Sequence, residues 1–125
     1  MKGAILVVDD SAMMRKIVLR TLKMAEVEFE QVFEAADGGE ALEILRTAQV
    51  ELIMCDINMP VMDGLELLAK IREEGLASTT PIVMVTTEGS EPLVRQAIFL
   101  GARAYIRKPF TLDHIKNNVK PLLAE

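Results

Sequence analysis

Five residues able to do chemistry stand where short apolar runs end. Asp9 and Asp10 follow Ala4–Val8, Asp56 follows Leu52–Cys55, Thr86 follows Pro81–Val85, and Lys108 follows Arg103–Arg107. Three carboxylates gathered in one small site repel one another. At ~5 Å and an effective dielectric near ~20, each pair costs ~3 kcal/mol. Such a group either traps a proton or holds a cation between its members. Oxygen ligands without His or Cys suit Mg²⁺, which takes few protein groups and keeps several waters. A lysine and a hydroxyl aimed at the same point suit an anionic ligand such as a phosphoryl group. An aspartate beside Mg²⁺ can itself be the nucleophile and become an aspartyl-phosphate. The metal and Lys108 would then stabilise charge on the equatorial oxygens during transfer.

The elements between these residues must bring them together. The gaps are 46 residues from Asp10 to Asp56, 30 to Thr86 and 22 to Lys108, close to two, one and one strand–helix units. Ser11 caps a first helix whose buried face is Met14, Ile17, Val18, Thr21 and Leu22. Gln31–Ala36 is a weaker strand because Glu34 interrupts it. Asp37 to Glu40 has a capping-box pattern before a helix at Ala41–Leu45, and Asp63 to Glu66 repeats it before a helix running to about Glu74. Ser90-Glu91-Pro92 opens a fourth helix that Gly101 closes. Thr111 caps a fifth, burying Leu112, Ile115, Val119 and Leu122, with a kink or early end expected at Pro121. Leu52–Cys55 is apolar at every position, so that strand is buried on both faces, as in a parallel sheet. This alternation predicts an α/β fold: five parallel strands with helices on both faces, forming one domain over residues 1–125. Ligands in such folds bind beyond the carboxyl ends of the strands, where the five residues converge.

Composition narrows the function. The chain has 125 residues, 50% hydrophobic and 26% charged, which is the balance of a folded globular protein. Its net charge of −5 argues against a nucleic-acid-binding face and a polybasic membrane anchor. The run Ala4–Val8 is too short for a signal-peptide core or a membrane span, so a cytoplasmic location is expected. One cysteine, Cys55, excludes an internal disulfide, and with one histidine, His114, it disfavours structural zinc. Cys55 is expected in the core beside the site, His114 on an exposed helix face without a role, and most of the eight methionines as core filler.

The stretch Asp56-Ile57-Asn58-Met59-Pro60-Val61-Met62-Asp63-Gly64 resembles, position after position, the phosphoacceptor segment of response-regulator receiver domains. Asp9-Asp10 and Lys108-Pro109-Phe110 stand in order as the family's other two signatures. The resemblance covers the whole chain. It is strongest to the family's stand-alone chemotaxis regulators, whose segment continues through Leu68. It implies a flavodoxin-like sheet of order 2-1-3-4-5 and a two-component signalling role. Asp56 would accept a phosphoryl group from a sensor histidine kinase. Asp10, Asp56 and the backbone carbonyl of Asn58 would bind Mg²⁺, with Asp9 acting through water. Lys108 would pair with the phosphoryl oxygens, across a cis peptide to Pro109. Thr86 would move to hydrogen-bond the phosphoryl group, with Tyr105 turning inward behind it. Asn58 and Glu88 would tune the phosphoryl lifetime, here a short one. The face of the fourth helix, fifth strand and fifth helix would then change its affinity for a flagellar motor switch protein or another output protein. A phosphatase is a further partner of such domains. The resemblance implies a monomer that binds neither nucleic acid nor membrane, whose only chemistry is self-directed phosphotransfer and autodephosphorylation.

Three positions depart from the family pattern. Thr87 stands where alanine is usual, adding bulk beside the phosphoryl approach path. Ile57 replaces the tryptophan of enteric members, so no indole reports on the site. Ser90 and Glu91 replace basic residues that help choose partners. A phosphorelay intermediate, passing the group to a histidine phosphotransfer protein, is the alternative within the family. Outside it, a Mg²⁺-dependent phosphohydrolase with an aspartyl intermediate would place Asp-x-Asp at the end of the first strand, where this chain has adjacent aspartates. A flavin or nucleotide carrier would need a Gly-rich loop after that strand, and none is present. Taken singly, Asp9 is a loop acid, Lys108 a surface charge and Tyr105 a half-exposed strand residue. Their joint order gives them a role.

Overall fold

Five short apolar runs become five parallel strands in a computed structural model that describes residues 3–87 and 89–123. They are β1 (Ala4–Val8), β2 (Gln31–Ala35), β3 (Leu52–Cys55), β4 (Ile82–Thr86) and β5 (Ala104–Arg107). The helices between and after them are α1 (Ala12–Met24), α2 (Gly38–Thr47), α3 (Gly64–Glu73), α4 (Glu91–Phe99), α5 (Leu112–Asn118) and a final turn, α6 (Lys120–Leu123). The sheet order is β2-β1-β3-β4-β5, as the resemblance implied.

Strand side chains point alternately to the two faces, so the sheet divides the interior into two cores. Leu6, Val8, Ile53, Cys55 and Met84 pack with α2, α3 and α4 through Leu42, Leu67, Leu68 and Ala97. Ile5, Val7, Leu52, Met54, Val83 and Ile106 pack with α1 and α5 through Val18, Leu22, Ile115 and Val119. The interior strands β1, β3 and β4 are buried at every residue, whereas the edge strand β2 exposes Gln31, Val32 and Glu34.

Several boundaries differ from the sequence expectation. Strand β4 starts after Pro81, which has no N–H to give the ladder, and extends through Thr86. Helix α2 begins at Gly38 rather than Ala41, because the Asp37 carboxylate accepts from Glu40 N at 2.9 Å. The Glu40 side chain reaches back to Ala36 N rather than to Asp37 N. Ile17, expected in the core, is 40% exposed and shares the outer face of α1 with Met13 and Met24. The sheet-facing side of that helix is filled by Val18 and Leu22 instead. Helix α5 does stop early: it ends at Asn118, and Pro121 lies in the separate turn α6. No helix among the described residues is long and apolar enough to cross a membrane.

Candidate functional site

Register brings the site residues together. Val8 pairs with Cys55, so Asp9 and Asp56 leave the sheet side by side as the next residues on neighbouring strands. Thr86 pairs with Arg107, which places Lys108 one step beyond it. Backbone bonds continue past the strand ends and hold these residues in place. Asp9 N donates to Ala35 O at 3.0 Å, Asp56 N to Val8 O at 2.9 Å, and Lys108 N to Thr86 O at 2.8 Å. On the far side, helix α3 is pressed against the Asp56–Ile57 backbone. Gly64 N donates to Ile57 O at 2.8 Å, and a Cβ on Gly64 would collide with the Asp56 carbonyl oxygen.

Asp9, Asp56 and Thr86 are buried. Asp56 Oδ1 accepts from Ile57 N at 2.8 Å, and its Oδ2 lies 3.4 Å from Lys108 Nζ. Lys108 Nζ also donates to Asp9 Oδ2 at 2.8 Å, while Asp9 Oδ1 accepts from Ser11 N at 2.9 Å. Burial pushes the Asp56 carboxyl above its ordinary range, and Asp9 adds to the rise. Lys108, a hydrogen bond with the Thr86 side chain and the Ile57 amide pull it back without cancelling it. Burial first, then the neighbouring carboxylates of Asp56, Asp9 and Asp63, push the Cys55 thiol up. That thiol stays protonated and donates to Asp56 O at 3.1 Å.

Asp9, Asp10 and Asp56 each offer a carboxylate oxygen, and these atoms lie within 4.8 Å of one another. Asp10 is the exposed member, on the solvent side of the two buried acids. A cluster of hard oxygens without sulfur or imidazole fits Mg²⁺. Lys108 balances the buried pair from the other side.

The other expected residues fall around this cluster. Asn58 and Thr87 are exposed in the loops after β3 and β4, Ile57 is buried beneath the site, and Tyr105 is half-buried on β5 against the α2–α4 core. Glu88 lies outside the described residues. The Lys108–Pro109 peptide is cis. Ser90 is the N-cap of α4, but its side chain makes no capping bond. Sequence reasoning assigned His114 no role, yet it completes a capping box at α5. Its Nδ1 accepts from Thr111 N at 3.1 Å, while Thr111 Oγ1 accepts from His114 N at 3.2 Å. It also missed Arg15, whose Nη1 donates to Asp9 O at 2.6 Å. A basic residue in the first turn of the helix after an acidic pair was the available signal.

The chain belongs to the response regulator receiver domain family, which it matches over residues 5–120. It is similar to chemotaxis CheY proteins. It is 42% identical over 120 residues to a CheY homologue of Campylobacter jejuni, covering 95% of this chain and 91% of that one. It is 41% identical to CheY1 of Helicobacter pylori, covering 95% of each. Among solved structures, CheY4 of Vibrio cholerae superposes with a TM-score of 0.83 at 36% identity, covering 98% of this chain and 100% of the other. The receiver domain of a NarL regulator of Mycobacterium tuberculosis gives 0.84 at 29% identity, covering 98% and 96%. The acidic triad has the composition of a receiver Mg²⁺ site, and the chain is a CheY-like signalling domain rather than a classical enzyme.

Proposed function

We propose that this chain, as one receiver unit over residues 1–125, takes a phosphoryl group from the phosphohistidine of a sensor kinase onto Asp56 and thereby switches partners in chemotaxis or motility. One observation carries the reading. Asp56 is buried at the end of a strand, with Oδ1 fixed by Ile57 N and Oδ2 toward Lys108, inside a cluster of three acids. Asp10, Asp56 and the Asn58 carbonyl would hold Mg²⁺, with Asp9 acting through water. Bound there, the ion supplies positive charge against the phosphoryl oxygens.

The chain's own groups do the rest. The Ile57 amide holds Asp56 Oδ1, leaving Oδ2 as the oxygen that attacks phosphorus. As the P–O bond forms, the P–N bond of the phosphohistidine breaks, and the imidazole nitrogen leaves with the electron pair and takes up a proton. Lys108 follows the new charge, releasing Asp56 Oδ2 for a phosphoryl oxygen while keeping Asp9. The Thr86 hydroxyl turns toward the phosphoryl group, and Tyr105 moves inward into the space behind it. The α4–β5–α5 face then changes its affinity for an output protein such as a motor switch protein. Water attacks the phosphorus, the acyl-phosphate P–O bond breaks, and Asp56 returns to a carboxylate. Asn58 and Glu88 set the rate of that step, and a phosphatase speeds it. The work is done in the cytoplasm by a monomer.

The test is amide NMR with Mg²⁺, beryllium and fluoride, the last two forming a stable phosphoryl mimic. Shifts should spread from Asp56 to α4 and Tyr105 in the wild type and be absent in Asp56→Asn. A response confined to the site, or none, ends the switch reading.

A further inference from the structure

Glu34 is the acid that interrupts the weak second strand, and the proposed function leaves it without a role. In the fold it sits opposite Val7 on the edge strand β2, where a carboxylate adds nothing to the ladder. Its Oε1 accepts from Arg15 Nε at 2.8 Å. The same guanidinium donates through Nη1 to the Asp9 carbonyl oxygen at 2.6 Å. Arg15 is held from both sides and its side chain is only 16% exposed.

That carbonyl belongs to the peptide joining Asp9 to Asp10. A peptide is planar, so fixing its oxygen also fixes the direction in which Asp10 N and Cα leave it. The Asp9 side chain is already tied at both oxygens, by Ser11 N and Lys108 Nζ. Asp10 is the exposed acid of the triad, so its placement depends most on the backbone beneath it. A planar guanidinium can reach an acceptor on each of two edges, which a lysine ammonium on a flexible stem does not reproduce.

We propose that Arg15, steered by Glu34, is a positioning residue for the acidic site: it locks the Asp9–Asp10 peptide so that the Asp10 carboxylate faces Asp56. This rests on the Mg²⁺-binding receiver reading above. A purely electrostatic role makes the opposite prediction. Removing a cation near three carboxylates should strengthen Mg²⁺ binding, whereas losing the positioning weakens it.

The experiment is a MgCl₂ titration followed by amide NMR at fixed pH, with thermal melts to show that each variant is folded. Arg15→Ala and Arg15→Lys should each weaken Mg²⁺ binding about tenfold, as the loss of groups that orient metal ligands does. Both should also displace the Asp10 amide resonance before any metal is added. Glu34→Ala should weaken binding by less, and Glu34→Gln, which keeps an acceptor for Arg15, should stay near wild type. Equal or tighter binding by Arg15→Ala, or wild-type affinity in Arg15→Lys, overturns the proposal. If Arg15→Ala does not fold, Glu34→Ala on the exposed edge decides, and unchanged affinity there overturns it. A wild type that binds no Mg²⁺ removes the underlying functional reading and this inference with it. A wild type that binds, with variants that bind equally, removes only the role of Arg15.

Discussion

The two ends of the sheet are built from the same strands and are chemically opposite. At the amino ends lies an open cleft of about 550 Å³, lined by apolar Leu45, Val50, Leu76 and Pro81 and by polar Gln49, Ser78, Thr79 and Thr80, with Glu51 the only charged residue among its described lining. Asp9, Asp56 and Thr86, the buried polar or charged side chains among the described residues, all belong to the carboxyl end. The cleft at the amino ends mixes apolar groups and neutral polar side chains with the single carboxylate of Glu51 among its described lining. The carboxyl end puts carboxylates where water is scarce, an arrangement that stability alone does not favour. The contrast marks the carboxyl end as the candidate site without reference to any relative.

The sharpest way to separate the ends is through their glycines. Gly64→Ala drives a methyl group into the Asp56 carbonyl oxygen, so it should destabilise by about 2–3 kcal/mol in denaturant melts and disturb the acceptor loop. A cost near zero would mean that α3 is not seated on the acceptor backbone as described. The next effect concerns charge. Because burial raises the Asp56 carboxyl, the folded chain keeps that proton to a higher pH than the unfolded chain does. Stability is therefore lost as pH rises from the ordinary aspartate range near ~4 through the folded value. Asp56→Asn should melt at a higher temperature than wild type at pH 7 in EDTA, with the gap closing toward pH 4. A gap that widens on acidification would reverse the sign of the burial effect. At the quiet end, Gly75 has φ +68° and open space around it, so Gly75→Ala meets only backbone strain and should cost about 1 kcal/mol in the same melts. The smallest effect is a gain. Val61, in the loop after Asp56, sits at φ 69° and is 89% exposed, a strained state for a β-branched residue. Val61→Asn should stabilise by roughly 0.5–1 kcal/mol. No gain would mean that the loop relaxes freely, and the carboxyl end would then store less strain than its backbone angles indicate.

Much of this architecture was legible because strands and caps are local. Leu52–Cys55 could only be a doubly buried strand, and Asp63 with Glu66 forms the reciprocal cap that its spacing announced. Asp9, Asp10 and Asp56 converge because strand ends in a parallel sheet share one rim. What stayed hidden depends on tertiary placement. Ile17 fits the helical repeat as well as Val18 does, and only the seating of α1 on the sheet decides which is covered. Arg15 and Glu34 are 19 residues apart, and no local rule pairs them. His114 escaped because its ring substitutes for the Glu or Gln of the usual capping pattern.

Tyr105 gives the chain an optical property of its own. The sequence has one tyrosine and no tryptophan, so ultraviolet emission from the whole molecule arises from a single ring apart from weak phenylalanine light. That ring is half-buried on β5, within the face proposed to meet partners. Collisional quenching of the unlabelled protein therefore reads the solvent access of one place, with no indole to drain its excitation. Light from this ring reports on the output face while chemistry proceeds at the acidic rim, both followed in the same cuvette.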